Sequence, residues 1–184
     1  MRWKSLFDDL EGQVEAAERA DLDAEVRDRT RREAALVRTS DRLRAAVGHP
    51  VAVDVLGSGP LRGQLLDAGE DWLLLQEPTG REVLVPSGGV LGITGLGRAT
   101  RAPGSEGEVE RRLDLRWALR GLARSRAGVQ LVLRDASVLS GTLDRVGSDH
   151  VELAEHAAGE ARRAAAVQGV RLVPLCALAL VRQV

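Results

Sequence analysis

Apolar and polar residues alternate along two stretches of the chain, through Val51, Val53 and Val55 and again through Val129, Leu131 and Leu133. That is the period of a strand with one face buried. Turn-forming clusters punctuate both stretches: Gly57-Ser58-Gly59-Pro60 and Ala68-Gly69-Glu70-Asp71 in the first, Arg134-Asp135-Ala136-Ser137 and Val146-Gly147-Ser148-Asp149 in the second. The stretches are copies of one pattern. Leu61, Gly63, Leu65, Gly69, Asp71, Leu73 and Leu75 recur 78 positions later as Leu139, Gly141, Leu143, Gly147, Asp149, Val151 and Leu153. Farther on the offset is 88, so that Leu84, Val85, Pro86, Val90 and Ile93 answer to Leu172, Val173, Pro174, Leu178 and Val181. The second copy therefore has an insertion near Ala157 to Gln168, read as an extended hairpin loop. Matches of this density at a constant offset point to an internal duplication. Each copy predicts about five strands in roughly 50 residues, a length suited to a small closed or nearly closed barrel.

The period changes outside the two copies. Residues 3 to 37 read as one long or once-broken helix, with Trp3, Leu6, Phe7, Leu10, Val14 and Ala17 on one stripe and dense charge elsewhere. Such a stripe offers a helix-mediated interface. Glu15 to Arg19 and Glu25 to Arg29 stand at the spacing of helical ion pairs. Short helices are expected to lead into each barrel, over residues 41 to 47 with Ser40 or Asp41 as cap, and over 111 to 124. The predicted organisation is α+β: an amphipathic helix (1–38), a first helix-plus-five-stranded barrel (39–97), a linker holding Pro103, Gly104 and Ser105 (98–110), and a second helix-plus-barrel repeat (111–184).

Composition narrows the reading. The 184 residues are 44% hydrophobic and 29% charged, as in ordinary globular chains, and no apolar run approaches the length of a membrane span. Met1-Arg2-Trp3-Lys4 leads into acidic residues rather than a secretion signal, so a cytoplasmic protein without membrane contact is expected. Cys176 is the only cysteine, which excludes an intramolecular disulfide, and its apolar neighbours predict a core position. The net charge of -1 hides an asymmetry: residues 48 to 97 hold 2 basic and 6 acidic groups, whereas residues 98 to 128 hold 8 basic and 4 acidic. A polyanion site, if there is one, belongs to the middle segment.

The pattern resembles the Sm-like barrels within the broader SH3-like group. The residues that carry the resemblance are Leu61-Arg62-Gly63-Gln64-Leu65 and Leu139-Ser140-Gly141-Thr142-Leu143, each followed by an aspartate, Asp71 or Asp149. It covers residues 41 to 95 and 111 to 184 and implies a helix followed by a strongly bent five-stranded barrel. RNA-binding members carry an asparagine after the aspartate and an Arg-Gly pair before the last strand. Here Trp72 and His150 follow the aspartates and no Arg-Gly precedes the last strands, so the resemblance extends to the fold and not to a uridine pocket. The whole chain also resembles a family from high-GC Gram-positive bacteria, some members of which carry a Fis-type regulator label. A Fis-like chain would end in a helix-turn-helix, and this one ends in the alternating Leu178-x-Leu180-Val181.

Four candidate sites follow from the residues. Arg112, Arg116, Arg120 and Arg124 recur every fourth position and share one helix face, which Arg111 and Arg126 extend. Phosphates or an acidic protein surface would compensate such a row. Trp72 and His150 occupy equivalent positions and carry rings able to stack on a base or to pack at an interface. The stripe of Trp3, Leu6, Phe7, Leu10 and Val14 suits self-association. His150, Glu152 and His156 lack the close spacing of metal ligands. No nucleophile elbow or phosphate-binding glycine motif is present, and Asp71 and Asp149 suit turn carboxylates. The expectation is a non-enzymatic binding or adaptor protein without cofactor, metal or small-molecule substrate. It acts through protein contacts and forms a homodimer; the alternative is a nucleic-acid-associated regulator using the arginine face of residues 111 to 126.

Overall fold

A computed structural model describes residues 3 to 102, 104, 107, 113 to 158 and 167 to 184, the backbone alone being described for 3 to 10. Residues 1 to 37 and 38 to 184 are two separate units. The first is a single unbroken helix, α1 (Trp3–Leu36). Arg19 pairs with Glu15 at 2.6 Å as expected, whereas Arg29 turns forward to Glu33 at 3.1 Å and not back to Glu25. Val14, Leu22 and Val26 are all more than half exposed, so this part of the helix stands bare.

The second unit holds α2 (Thr39–Ala45), β1 (Pro50–Val55), β2 (Gly59–Ala68), β3 (Trp72–Gln76), β4 (Glu82–Pro86) and β5 (Val90–Thr94). The same order follows with α3 (Leu115–Ser125), β6 (Gly128–Leu133), β7 (Val138–Val146), β8 (His150–Glu155), β9 (Gly169–Pro174) and β10 (Leu178–Gln183). Strand pairing reproduces the sequence offset. Val51 faces Gly63 and Val129 faces Gly141; bulges interrupt β2 between Leu65 and Asp67 and β7 between Leu143 and Arg145. The glycine of each Leu-x-Gly-x-Leu step has a local cause. A Cβ on Gly63 would strike the Gln76 carbonyl, and one on Gly141 the Ala154 carbonyl, so both positions need a residue without a side chain.

The expectation of two helix-plus-five-stranded barrels is overturned. The ten strands form one open antiparallel sheet in the order β5-β1-β2-β3-β4-β10-β6-β7-β8-β9, with three α-helices among the described residues. The outer strands of a repeat do not meet each other. Instead β4 pairs with β10 through Leu84–Val181 and Val83–Arg182, which joins the repeats at a seam and leaves β5 and β9 as the edges of the whole sheet. Unpaired strand edges carry unsatisfied backbone groups, and each repeat meets that need through its neighbour.

The seam also mixes the cores. Alternation along β4 sends Val83 and Val85 to a cluster with Val53, Leu65 and Leu75, and sends Leu84 to a second cluster with Leu119, Leu131 and Leu153. On β10 a bulge between Leu178 and Leu180 resets the period, so Ala179 and Leu180 join the first cluster while Leu178 and Val181 join the second. Cys176, expected in a core from its apolar neighbours, is exposed on the 3-10 turn Leu175–Ala177, none of whose residues is buried. No described helix is long and apolar enough to cross a membrane.

Candidate functional site

At the first β2–β3 turn the chain is locked to the second repeat. Asp71 Oδ1 accepts the Leu115 N–H at 2.8 Å, at the start of α3, and the Trp72 indole N–H donates to the Leu113 carbonyl at 2.7 Å. Asp114 caps α3 by accepting the Trp117 N–H at 2.8 Å. Burial opposes the Asp114 charge, but the Trp117 amide and then Arg116 and Arg120 outweigh it and hold the carboxyl below its ordinary value. Trp72 is 3% exposed and packs beside Leu84, Leu115 and Leu119. Of the two roles given for the Trp72 ring, stacking on a base or packing at an interface, its burial fits the second, at the seam between the repeats.

The equivalent turn of the second repeat is open. Asp149 Oδ1 and His150 Nδ1 stand 2.8 Å apart, and the hydrogen bond from His150 is the chief cause holding the Asp149 carboxyl below its usual range. Gly147 leaves room for the His150 ring, just as Gly69 does for Trp72. Among the described residues no later helix covers this turn.

Strand register extends the contrast across the sheet. In the first repeat Asp67, Leu74, Leu84 and Val181 face one another in turn across β2, β3, β4 and β10. Trp117, Ala118, Gly121 and Leu122 of α3 lie over that row, and Leu84 is 5% exposed. The same row in the second repeat reads Arg145, Glu152 and Leu172, then stops at the edge of β9. Leu172 is 58% exposed, and Val170 on the same strand is 62% exposed.

Between this row and α3 lies an open concavity of about 630 Å³, lined by Arg120, Arg124, Arg126, Arg145, His150 and Glu152 among others. The corresponding corner of the first repeat is about 330 Å³, lined by Trp72, Leu113 and Arg101 among others. Thus the structure gathers Arg120, Arg124, Arg126 and His150, four of the side chains singled out from sequence. Arg116 is set apart by its bond to Asp114 at 2.7 Å, while Arg126 binds Asp144 at 3.0 Å. Arg120, Arg124 and Arg145 make no ion-pair contact among the described residues. Arg111 and Arg112 lie outside the described residues, as do the side chains of Trp3, Leu6, Phe7 and Leu10; Val14 is exposed on α1.

Arg145 was missed from sequence because it sits alone on a strand, far from the helical arginine row. The signal was nonetheless present, since the 78-residue offset sets Arg145 against Asp67, a reversal of charge at equivalent places. His156 is buried and bonded to Thr142 at 2.8 Å. No three His, Cys, Asp or Glu side chains among the described residues are placed to hold a metal ion. Neither a protein-family model nor a curated protein matches the chain.

Proposed function

We propose that the chain is a non-catalytic binding protein of the cytoplasm that acts through protein–protein contacts on the outer face and edge of β8–β9. One observation carries the reading: Leu172 is 58% exposed, whereas Leu84, its equivalent in the first repeat, is 5% exposed beneath α3 and beside β10. The covering of β4 by β10 and α3 supports this reading by analogy. A partner strand laid along β9 would satisfy its open backbone edge as β10 does for β4, and an apolar side chain beside Leu172 would take the place of Val181. A second copy of the chain is one source of such a strand, giving the expected self-association.

A photo-crosslinking residue at position 172, with a second at position 62 as control, tests the proposal in the native cytoplasm. A discrete protein adduct from position 172 alone is expected, and an adduct containing this chain identifies the partner as itself. Absence of any protein adduct from position 172 overturns the proposal.

A further inference from the structure

The concavity beside the bare face has a separate chemistry. Its arginines come from two elements: Arg120 and Arg124 stand one turn apart on α3, and Arg145 projects from β7 opposite them. Arg126 follows the last turn of the helix in the left-handed conformation, φ 55°, and is bound to Asp144. Glu152 is the remaining acid of the lining, against which stand Arg120, Arg124 and Arg145. The surplus is positive, and like charges so close are favourable only when an anion or water shares them. The His150 ring borders the same space, with its Nδ1 already engaged by Asp149.

We infer that this concavity is a binding site for a compact phosphate-bearing anion, held by the guanidinium groups of Arg120, Arg124 and Arg145. Guanidinium groups match phosphate oxygens in both charge and fork geometry. The duplication supplies the internal control: where the second repeat has Arg145 and His150 around an open space, the first has Asp67 and Trp72 around a smaller one. A polynucleotide, the partner first suggested by the arginine row, needs a continuous basic track. The described surface interrupts any such track, because Arg116 is engaged by Asp114 and the far side of the concavity carries Asp149 and Glu152. The inference is independent of the protein contacts proposed above, which involve Leu172 and not the arginines.

Calorimetric titration of the full chain with inorganic pyrophosphate, with inorganic phosphate and with a single-stranded oligonucleotide tests the site. Pyrophosphate is expected to bind at one site per chain. Charge-assisted hydrogen bonds of this kind make a loss of about ten-fold or more the expected effect of Arg120→Ala with Arg124→Ala, and likewise of Arg145→Asp. Arg62→Ala, far from the site in sequence and on β2 of the first repeat, leaves the affinity unchanged. In amide NMR spectra of the unsubstituted chain, pyrophosphate is expected to shift Gly147 and His150 and to leave Gly69 and Trp72 in place, a readout that needs no variant to fold. Three results overturn the inference: no pyrophosphate binding at low salt, binding indifferent to all three arginine substitutions, or oligonucleotide binding that strengthens with length while pyrophosphate fails to bind.

Discussion

Asp71-Trp72 and Asp149-His150 stand at the same turn of two repeats whose strands share one register, and both aspartates are exposed, yet the Trp72 ring is built into a core while the His150 ring stays partly exposed. The cause is position along the chain. α3 and β10 belong to the second repeat, and they close the outer face of the first. Among the described residues no helix or strand does the same for β9. The side chains on the two faces match this difference. Where α3 covers the sheet the row is Leu74 and Leu84; where no helix covers it the row is Glu152 and Leu172, with Arg145 in place of Asp67. One backbone pattern thus supports an internal joint at one end and an exposed, mixed surface at the other.

The contrast is sharpest at the ring positions. Trp72→Ala removes a buried indole and its hydrogen bond to Leu113, and is expected to lower stability by about 3–5 kcal/mol. His150→Ala should change it by no more than about 0.5 kcal/mol, as for an ordinary surface substitution. Urea denaturation of the two variants measures both, and equal losses would break the comparison. Next in size is the aliphatic pair. Leu84→Ala is expected to cost about 2–5 kcal/mol, against about 0.5 kcal/mol or less for Leu172→Ala. A large loss at Leu172 would mean that the face is covered in the folded protein.

The polar anchors should give smaller differences. Asp71→Ala removes the acceptor for the Leu115 N–H and is expected to cost about 1 kcal/mol, comparable to loss of a helix cap. Asp149→Ala, whose partner is the neighbouring His150, should leave the melting temperature within about 2 °C of the parent. The smallest effect is a pH dependence. Asp114 is held below its ordinary value in the folded chain, so its contribution is complete above the unfolded value near about 3.9 and is lost as pH falls through the lower folded value. The stability gap between the parent and Asp114→Asn should therefore narrow on acidification through that range; a gap that widens there would contradict the capping role.

Local structure was legible because its causes are local. The alternation of Val51, Val53 and Val55 marks a strand, and these residues form the buried face of β1. The lead-in helices were placed within a few residues, α2 beginning at Thr39 and α3 ending at Ser125. The arginine row on α3 was visible from its spacing, but its engagement was not. Only the fold sets Arg116 against Asp114, Arg126 against Asp144, and Arg145 across from Arg120 and Arg124. For Trp72 the sequence left stacking and interface packing both open, because its covering helix begins more than 40 residues later, at Leu115.

By itself the sequence determined that this protein is built of two strand-rich copies with turns and glycines at matching places, since side-chain periodicity and turn chemistry act over a few residues. Tertiary structure alone decided that the copies merge into one sheet. A strand edge needs a partner but does not specify in its own residues which edge that will be. The choice of β10 over β5 as the neighbour of β4 buried one outer face, left its counterpart open, and so turned two similar halves into a joint and an exposed surface.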